Sequence, residues 1–172
     1  MSGPTLEDVL APGLRLVVCG SAAGHRSAQL RQYYAGPGNK FWRTLFEVGL
    51  TLRRLDPSEY RLLPSFGIGL TDLVKHQRGG DAELDFARAG RDELREKIAR
   101  FRPGVLCFNG KRSAGEFLRV KRVDYGLQAG ALGETRLFVA PSTSGAASGA
   151  WDPDVWRELA DLVGGGGGER CA

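Results

Sequence analysis

The sequence has few of the side chains that bind metals or form disulfides. Its 172 residues include three cysteines and two histidines, and none stand in the close spacing that a zinc site or an iron–sulfur cluster needs. Cys19 and Cys107 lie in apolar runs, where cysteine usually behaves as a small buried hydrophobic residue, and Cys171 lies near the end. We therefore expect chemistry without a metal, a cofactor or a disulfide framework.

Long apolar runs are also missing. No stretch approaches the roughly 20 residues of a membrane-spanning helix, and the first residues lack the basic-then-apolar pattern of a signal peptide. We therefore expect a cytoplasmic protein with no membrane partner. Lys and Arg together number 24, against 20 Asp and Glu, and this mild basic excess permits a polyanionic partner without requiring one.

Apolar runs of strand length alternate with amphipathic segments along the chain. The continuous apolar run at 14–19 is typical of a strand covered on both faces, and Asp56-Pro57-Ser58-Glu59 is typical of a helix start. The alternation predicts one α/β domain over residues 1–163, with a four-stranded parallel sheet between helices, and a flexible glycine-rich tail at 164–172. The predicted strands are 14–19, 68–74, 105–108 and 137–140, and the main predicted helices are 39–48, 91–101 and 152–163.

Small and polar residues follow each predicted strand. Because the carboxyl ends of parallel strands form the binding edge of such a sheet, we expect these segments to meet there. They are residues 20–25, Asp72 with Lys75 and His76, residues 109–111, and residues 141–148.

Two phosphate-binding motifs fail on spacing. Residues 20–24 lack the glycine pattern of a dinucleotide-binding turn. Five residues, rather than the four of a P-loop, separate Gly104 from Gly110-Lys111, and they belong to a predicted strand. These mismatches disfavour a nucleotide-handling enzyme.

Several collinear motifs resemble one family of DNA repair enzymes. "LEDVLAPGLRLVVCG", "GHRSA", "GPGNKFWRTLFEVGLT" and "IGLTDLV" resemble the mismatch-specific, thymine-DNA glycosylase-like members of the uracil-DNA glycosylase superfamily. "GSAAG", "QYYAGPGNKFW", "FNGK" and "APSTSGAAS" also resemble its hypoxanthine-DNA glycosylase branch. The resemblance runs in order over about residues 6–163.

The resemblance implies a three-layer α/β/α sandwich and a reaction in base excision repair. The expected activity flips uracil, and further deaminated bases such as hypoxanthine or xanthine, out of single- or double-stranded DNA. Hydrolysis of the N-glycosidic bond then leaves an abasic site. The family implies a monofunctional, metal-independent glycosylase that acts as a monomer, in the cytoplasm and at the nucleoid.

The first motif departs from the mismatch-specific pattern. Those enzymes carry an Asn that positions the attacking water, and Ala22 stands in its place here. In the hypoxanthine-glycosylase branch, the catalytic role is assigned to an Asn that matches Asn39. The resemblance therefore implies that Asn39 is catalytic. The alternative is that Asn39 only caps the following helix, a role that asparagine fills well.

Base-binding residues are expected around the first two strand ends. By resemblance, Tyr34 is the aromatic on which the flipped base stacks. Small residues at Ser21, Ala22 and Gly24 let the substrate approach backbone N–H groups. Asp72 lies where other branches place an Asn that reads the base edge, and its carboxylate can accept the imino proton of uracil or hypoxanthine. Each of these roles has an alternative. Tyr34 could pack in the core, the small residues could form a plain turn, and Asp72 could cap a helix or form a salt bridge beside Lys75.

DNA-contacting residues are expected after the third and fourth strands. Lys111 and Arg112 suit DNA phosphates, although solvated charges would give the same pattern. His25 and His76 are lesser candidates that could assist the leaving base, and the alternative for each is an ordinary surface histidine. The loop at 141–148 is expected to enter the minor groove, with contacts from Ser142, Thr143, Ser144, Gly145, Ala146 and Ser148.

A rival class of function stays open at this point. Because Ala22 cannot orient water, the chain could be a catalytically weakened member that binds uracil-containing or abasic DNA without efficient turnover. Such a binder would retard damaged DNA without cleaving it.

Overall fold

The computed structural model describes residues 3–164. The tail predicted at 164–172 lies outside the described residues except for Gly164, as does Cys171. No helix within the described part of the chain is long and apolar enough to cross a membrane.

A single sheet forms the centre of the molecule. Four of its strands run parallel, in the spatial order β2-β1-β3-β5, as the alternation of strands and helices predicts. A fifth strand, β4, pairs antiparallel with β5 at the edge of the sheet. The strands are β1 (Leu16–Gly20), β2 (Ile68–Asp72), β3 (Val105–Asn109), β4 (Gly126–Leu132) and β5 (Thr135–Ala140).

The four predicted parallel strands are confirmed, and β4 is an additional edge strand that was not predicted. Its sequence, GLQAGAL, contains two glycines and no β-branched residue, so it lacks the composition typical of strands. Most of its residues are exposed or half-buried, because only one neighbour pairs with it. This segment therefore forms a strand because it pairs with β5 in a hairpin, and its own sequence has no apolar pattern that would predict one.

Helices cover both faces of the sheet. The predicted helix at 91–101 is confirmed as α3, and those at 39–48 and 152–163 are confirmed with slightly shorter bounds. The helix start at Asp56 forms its capping box but opens a 3₁₀ helix. The helices are α1 (His25–Leu30), α2 (Phe41–Glu47), α3 (Arg91–Phe101), α4 (Lys111–Leu118) and α5 (Pro153–Leu162), with 3₁₀ helices at Pro57–Phe66, Asp81–Glu83, Phe86–Arg88 and Gly145–Ala150.

Alternation along β1 divides the interior into two hydrophobic cores. Leu16 and Val18 belong to the core that packs against α2 and α5, where Phe41 and Trp156 are buried. Val17 and Cys19 belong to the core on the other face, beneath α3 and α4. Successive strand residues point to opposite faces, so a fully apolar strand serves both cores. This arrangement confirms the three-layer α/β/α sandwich.

The topology directs the ends of all four parallel strands to one edge. Helix α1 starts five residues after the last residue of β1, and α4 starts two residues after that of β3. The polar segments that follow the strands are thereby held between rigid elements at this edge.

Candidate base-binding site

A cleft of about 620 Å³ opens at the carboxyl edge of the sheet. It brings together residues from the ends of β1, β2, β3 and β5 and from the segment before α2. Two of the sequence-predicted site residues, His76 and Ser148, do not line it. The predicted residues that do are Ser21, Ala22, Gly24, His25, Tyr34, Asn39, Asp72, Lys111, Ser142, Thr143, Ser144, Gly145 and Ala146.

Asp72 is a buried carboxylate that is paired with no residue in the described part of the chain. It ends β2 and is 6% exposed, yet no described residue gives it a hydrogen bond or an ion pair. Burial raises the pKa of Asp72 to about 6, against the smaller opposing effect of the Lys75 charge. Because buried carboxylates are costly unless paired, the site favours a hydrogen-bond donor from a bound ligand.

The expected alternative of a salt bridge between Asp72 and Lys75 is not what the structure contains. The ammonium of Lys75 lies 2.8 Å from Oδ1 of Asp8 instead, and Lys97 lies 2.6 Å from the other oxygen of Asp8. Burial acts to raise the pKa of Asp8, but these two lysines together with Thr71 outweigh it, so that pKa is lowered. Asp8 is therefore paired with two lysines, whereas the carboxylate of Asp72 is paired with no described residue.

Gly20 lets two functional groups approach each other. A Cβ atom at this position would lie 2.8 Å from Oδ1 of Asp72 and 3.1 Å from the hydroxyl of Tyr34. The first distance is shorter than Cβ atoms tolerate, so any other residue would displace the carboxylate or the phenol. The last residue of β1 therefore has to be glycine for Asp72 and Tyr34 to face the same space.

Tyr34 is held in an unusual conformation. Its backbone has φ of 53°, in the left-handed region that non-glycine residues rarely adopt. The ring stacks on Phe41 with centroids 4.0 Å apart, and its hydroxyl is buried beside the side chain of Asn109. Burial, and then the charge of Asp72, raise the pKa of this phenol. Since Phe41 covers one face of the ring, a base would have to use the opposite face.

Tyr33 differs from its neighbour. It is fully buried, and its hydroxyl donates to the backbone carbonyl of Glu7 at 2.9 Å. This contact and the neighbouring ring of Tyr60 identify Tyr33 as a packing residue.

Asn39 is half-buried at the start of α2. Its Oδ1 accepts a hydrogen bond of 3.0 Å from the backbone N–H of Phe41. No described residue accepts a hydrogen bond from its amide nitrogen. The expected N-cap role of Asn39 is wrong in position, because Lys40 is the N-cap of α2 and Asn39 precedes it. A carbonyl oxygen has two lone pairs, so the contact with Phe41 leaves one free for a water molecule.

Two buried side chains fix the loop after β5. The amide nitrogen of Asn109 donates to Oγ1 of Thr143 at 3.0 Å, and the backbone N–H of Thr143 donates to Oδ1 of Asn109, also at 3.0 Å. The carbonyl of Thr143 in turn accepts from the backbone N–H of Lys40 at 2.8 Å. Thr143 is fully buried, so its side chain supports the loop from within.

Asn109 is the main site residue that sequence reasoning did not assign a role. It ends β3 and lines the cleft. The signal was present, because a polar residue directly after an apolar strand and before Gly110 marks a strand end. Gly110 has φ of 114°, and a Cβ there would press against Ser142 at 3.3 Å.

The loop before α2 and the loop after β5 touch through glycine backbones. A Cβ on Gly145 would lie 3.3 Å from the carbonyl oxygen of Gly38. Lys40 also reaches across, with its ammonium 3.0 Å from Oγ of Ser148. The predicted water-positioning segment and the predicted minor-groove loop therefore form one continuous wall.

The remaining predicted residues lie at the rim. Nε2 of His25 is 2.9 Å from Glu83, and the histidine side chain is 64% exposed. The hydrogen bond from His25, and then one from the backbone of Gly80, lower the pKa of Glu83. The ammonium of Lys111 lies 4.3 Å from the ring centroid of Tyr125. Within residues 3–164, no three His, Cys, Asp or Glu residues are grouped as a metal site requires.

The family follows from comparison with known proteins. Residues 7–160 match the family model described as the Uracil DNA glycosylase superfamily. The chain therefore belongs to the uracil DNA glycosylase superfamily, whose members are DNA glycosylases, a class of hydrolase. Membership supports a role in DNA repair, on a DNA substrate.

A solved structure shares the fold over almost its whole length. It is the solution NMR structure of a "putative Uracil DNA glycosylase" from Methanosarcina acetivorans. The two sequences are 25% identical, and the match covers 92% of this chain and 96% of that one with a TM-score of 0.61. The resemblance to the superfamily is thus confirmed, while assignment to the mismatch-specific or hypoxanthine branch stays a prediction.

Proposed function

We propose that this protein is a monofunctional DNA glycosylase that removes uracil, and further deaminated bases such as hypoxanthine and xanthine, from DNA. The observation that carries this proposal is the unpartnered carboxylate of Asp72, buried at the cleft beside Tyr34. A flipped base would supply the hydrogen-bond donor that this carboxylate lacks.

Asp72 distinguishes deaminated bases from ordinary ones by the direction of one hydrogen bond. Uracil presents N3–H and hypoxanthine presents N1–H, whereas cytosine and adenine present acceptor nitrogens at the corresponding positions. A carboxylate accepts from the first pair and repels the lone pairs of the second. An ordinary base in the cleft would leave the buried carboxylate unpaired, which is an effective way to reject a substrate.

The face of Tyr34 opposite Phe41 is the proposed surface for stacking, because Tyr34 lines the cleft. Flipping a base costs a few kcal/mol, and stacking on an aromatic ring returns about 1–3 kcal/mol. The ring is already fixed against Phe41, so little side-chain freedom is lost on binding.

Asn39 positions the attacking water in this proposal. Its Oδ1 is oriented by the backbone N–H of Phe41 and has a lone pair to accept from water. The reaction develops positive charge on the sugar and negative charge on the base, so it gains from a held water and from donors to the leaving group.

The DNA backbone is expected along the same edge of the sheet. Lys111 and the loop at 141–148 flank the cleft and suit phosphate and minor-groove contacts. The protein acts in this proposal as a monomer without metal or cofactor, in the cytoplasm and at the nucleoid.

One observation favours a second candidate, a binder with weak turnover. Ala22 offers no side-chain acceptor, and Asn39 already bonds to Phe41. If the remaining lone pair does not reach water, the cleft would hold a flipped base without hydrolysing its glycosidic bond.

The decisive experiment uses labelled oligonucleotides that contain uracil, hypoxanthine or xanthine. After incubation and alkali, strand scission at the lesion is expected for wild type. Asn39→Ala should excise about 10²-fold more slowly in single turnovers while binding the same DNA equally well. Retarded mobility without any scission would favour the binder, and wild-type rates in a folded Asn39→Ala protein would remove the proposed role of Asn39.

A further inference from the structure

A second cleft adjoins the base-binding site. Its volume is about 940 Å³, and it lies along α4 and the segment at 119–124 that follows this helix. Lys111 and Arg112, at the start of α4, line both clefts, so the two are continuous at that point. We refer to the second cleft as the α4 cleft.

The α4 cleft carries the positive charge of the protein. Six cationic residues and two acidic residues line it, an excess of four. This excess equals the net charge of the whole sequence, which is +4. The rest of the chain is therefore balanced. The charged lining residues are Arg91, Lys111, Arg112, Arg119, Lys121 and Arg122, with Glu116 and Asp124.

No described residue neutralises the cations at the far end of the cleft. Glu116 engages two arginines, with oxygen atoms 3.2 Å from Nη2 of Arg91 and 3.1 Å from Nε of Arg112. Arg119, Lys121 and Arg122 are exposed, and no described carboxylate lies within ion-pair distance of them. Three free cations within four residues repel one another, so an external anion would stabilise this segment.

The spacing suits a chain of phosphates. Helix α4 has eight residues and is therefore about 12 Å long at 1.5 Å per residue. One strand of DNA carries a phosphate about every 3.4 Å along the axis, so this length corresponds to roughly three phosphates. A single small anion would not use a row of cations that extends away from the base cleft.

We propose that the α4 cleft binds the phosphodiester backbone of the DNA strand on one side of the flipped nucleotide. Arg119, Lys121 and Arg122 neutralise phosphates beyond those at the base cleft, and Lys111 marks where the strand passes from one cleft to the other. This inference rests on the proposed function for the position of the lesion, but its binding step is independent of catalysis. The cleft raises affinity for long DNA and leaves the chemical step unchanged.

The first test measures how salt affects binding to undamaged duplex DNA. The variant replaces Arg119, Lys121 and Arg122 with Gln, and thermal unfolding checks that it folds. Three lost phosphate contacts should reduce the slope of log K against log salt by roughly 2 to 3. The control replaces three exposed arginines outside both clefts, Arg54, Arg100 and Arg102, with Gln. An equal change in both variants, or no change in the first, overturns the proposal.

A second test locates the phosphates. Neutral methylphosphonates replace single phosphates at successive positions on either side of uracil, and affinity is measured for each oligonucleotide. Wild type should lose affinity at about three adjacent positions on one side, beyond the phosphates next to the lesion. The triple Gln variant should lose none at those positions. If the variant keeps the wild-type pattern, the α4 cleft does not hold the strand.

Activity separates this inference from the proposed function. If wild type excises uracil, the triple Gln variant should have the same single-turnover rate at saturating DNA and a higher DNA concentration at half-saturation. If neither wild type nor the variants excise any base but their salt slopes still differ as expected, the glycosylase proposal fails. The proposal that the α4 cleft binds the DNA backbone is then still supported.

Discussion

Asn109 and Thr143 exchange two hydrogen bonds of 3.0 Å each, one between their side chains and one from the backbone N–H of Thr143 to Oδ1 of Asn109. The pair joins the end of β3 to the loop after β5, and this loop holds the start of α2 through Lys40. A side chain at the end of one strand therefore fixes two walls of the base cleft.

Removing this pair should affect both stability and excision. Asn109→Ala leaves the buried backbone N–H and hydroxyl of Thr143 without partners, and we expect a loss of about 1–3 kcal/mol in the free energy of unfolding. Thr143→Val removes only the side-chain hydrogen bond and should lose less. Denaturant unfolding and single-turnover excision measure the two effects. Equal stability of Asn109→Ala and wild type would contradict this reading of the pair.

Gly20→Ala should inactivate the site with little change elsewhere. The added methyl would lie 2.8 Å from the Asp72 carboxylate and 3.1 Å from the Tyr34 hydroxyl, so one or both must move. We expect excision to fall by about 10²-fold or more, because small displacements of binding groups have large effects on rate. Gly130→Ala is the control, since a Cβ there meets nothing within 4 Å. Normal excision by Gly20→Ala would mean that the substrate does not use this corner.

Asp72 should make the protein less stable as pH rises. Its pKa is about 6 in the folded state, against an ordinary value of 3.8. Between these pH values the folded state binds more protons than the unfolded state, so the free energy of unfolding decreases with pH and levels off above about 6. At 1.36 kcal/mol per pKa unit, the loss is of the order of 3 kcal/mol.

Asp72→Asn should remove this pH dependence and stabilise the protein at neutral pH. Unfolding by denaturant at pH 4, 5, 6 and 7 checks both expectations, with Asp152→Asn, at the exposed start of α5, as a matched control. If the free energy of unfolding of Asp72→Asn does not increase relative to that of wild type between pH 4 and pH 6, burial does not penalise the carboxylate of Asp72.

Ala146 should give weak dependence on the base opposite the lesion. The loop at 141–148 is expected to enter the minor groove, where a side chain would fill the space left by the flipped base, and Ala146 offers only a methyl group. A methyl group makes far fewer dispersion contacts there. We expect uracil to be excised at comparable rates opposite G, opposite A and in single strands, and Ala146→Leu to increase the preference for duplex. A strong G-mismatch preference in wild type would contradict this expectation.

The sequence was sufficient for most of the fold because the central strands are fully apolar. The apolar run at 14–19 predicts a strand covered on both sides, and β1 confirms the strand with shifted bounds, Leu16–Gly20. Strand β4 could not be predicted in the same way, because its position depends on pairing with β5 and not on its own composition. Apolar patterns in the sequence thus predicted the buried strands and did not predict the edge strand.

Most of the residues that line the cleft could be predicted as a group, but their partners could not. Strand ends correctly indicated which segments meet, because the topology of a parallel sheet determines this. The pairing of Lys75 with Asp8 instead of Asp72, and of Asn109 with Thr143, depends on side chains far apart in sequence. Such long-range choices leave no periodic pattern, so only the structure distinguishes the free carboxylate from the paired one.

The most direct test of the account is the effect of Asp72→Ala on excision and on DNA affinity, measured on the same protein. Loss of a buried, unpaired carboxylate should not unfold the chain, and phosphate contacts should keep affinity for undamaged DNA within about twofold of wild type. Single-turnover excision of uracil and hypoxanthine should fall by about 10²-fold, because the imino proton loses its acceptor. Undiminished excision of both bases by a folded Asp72→Ala protein would contradict the central claim that Asp72 reads the base.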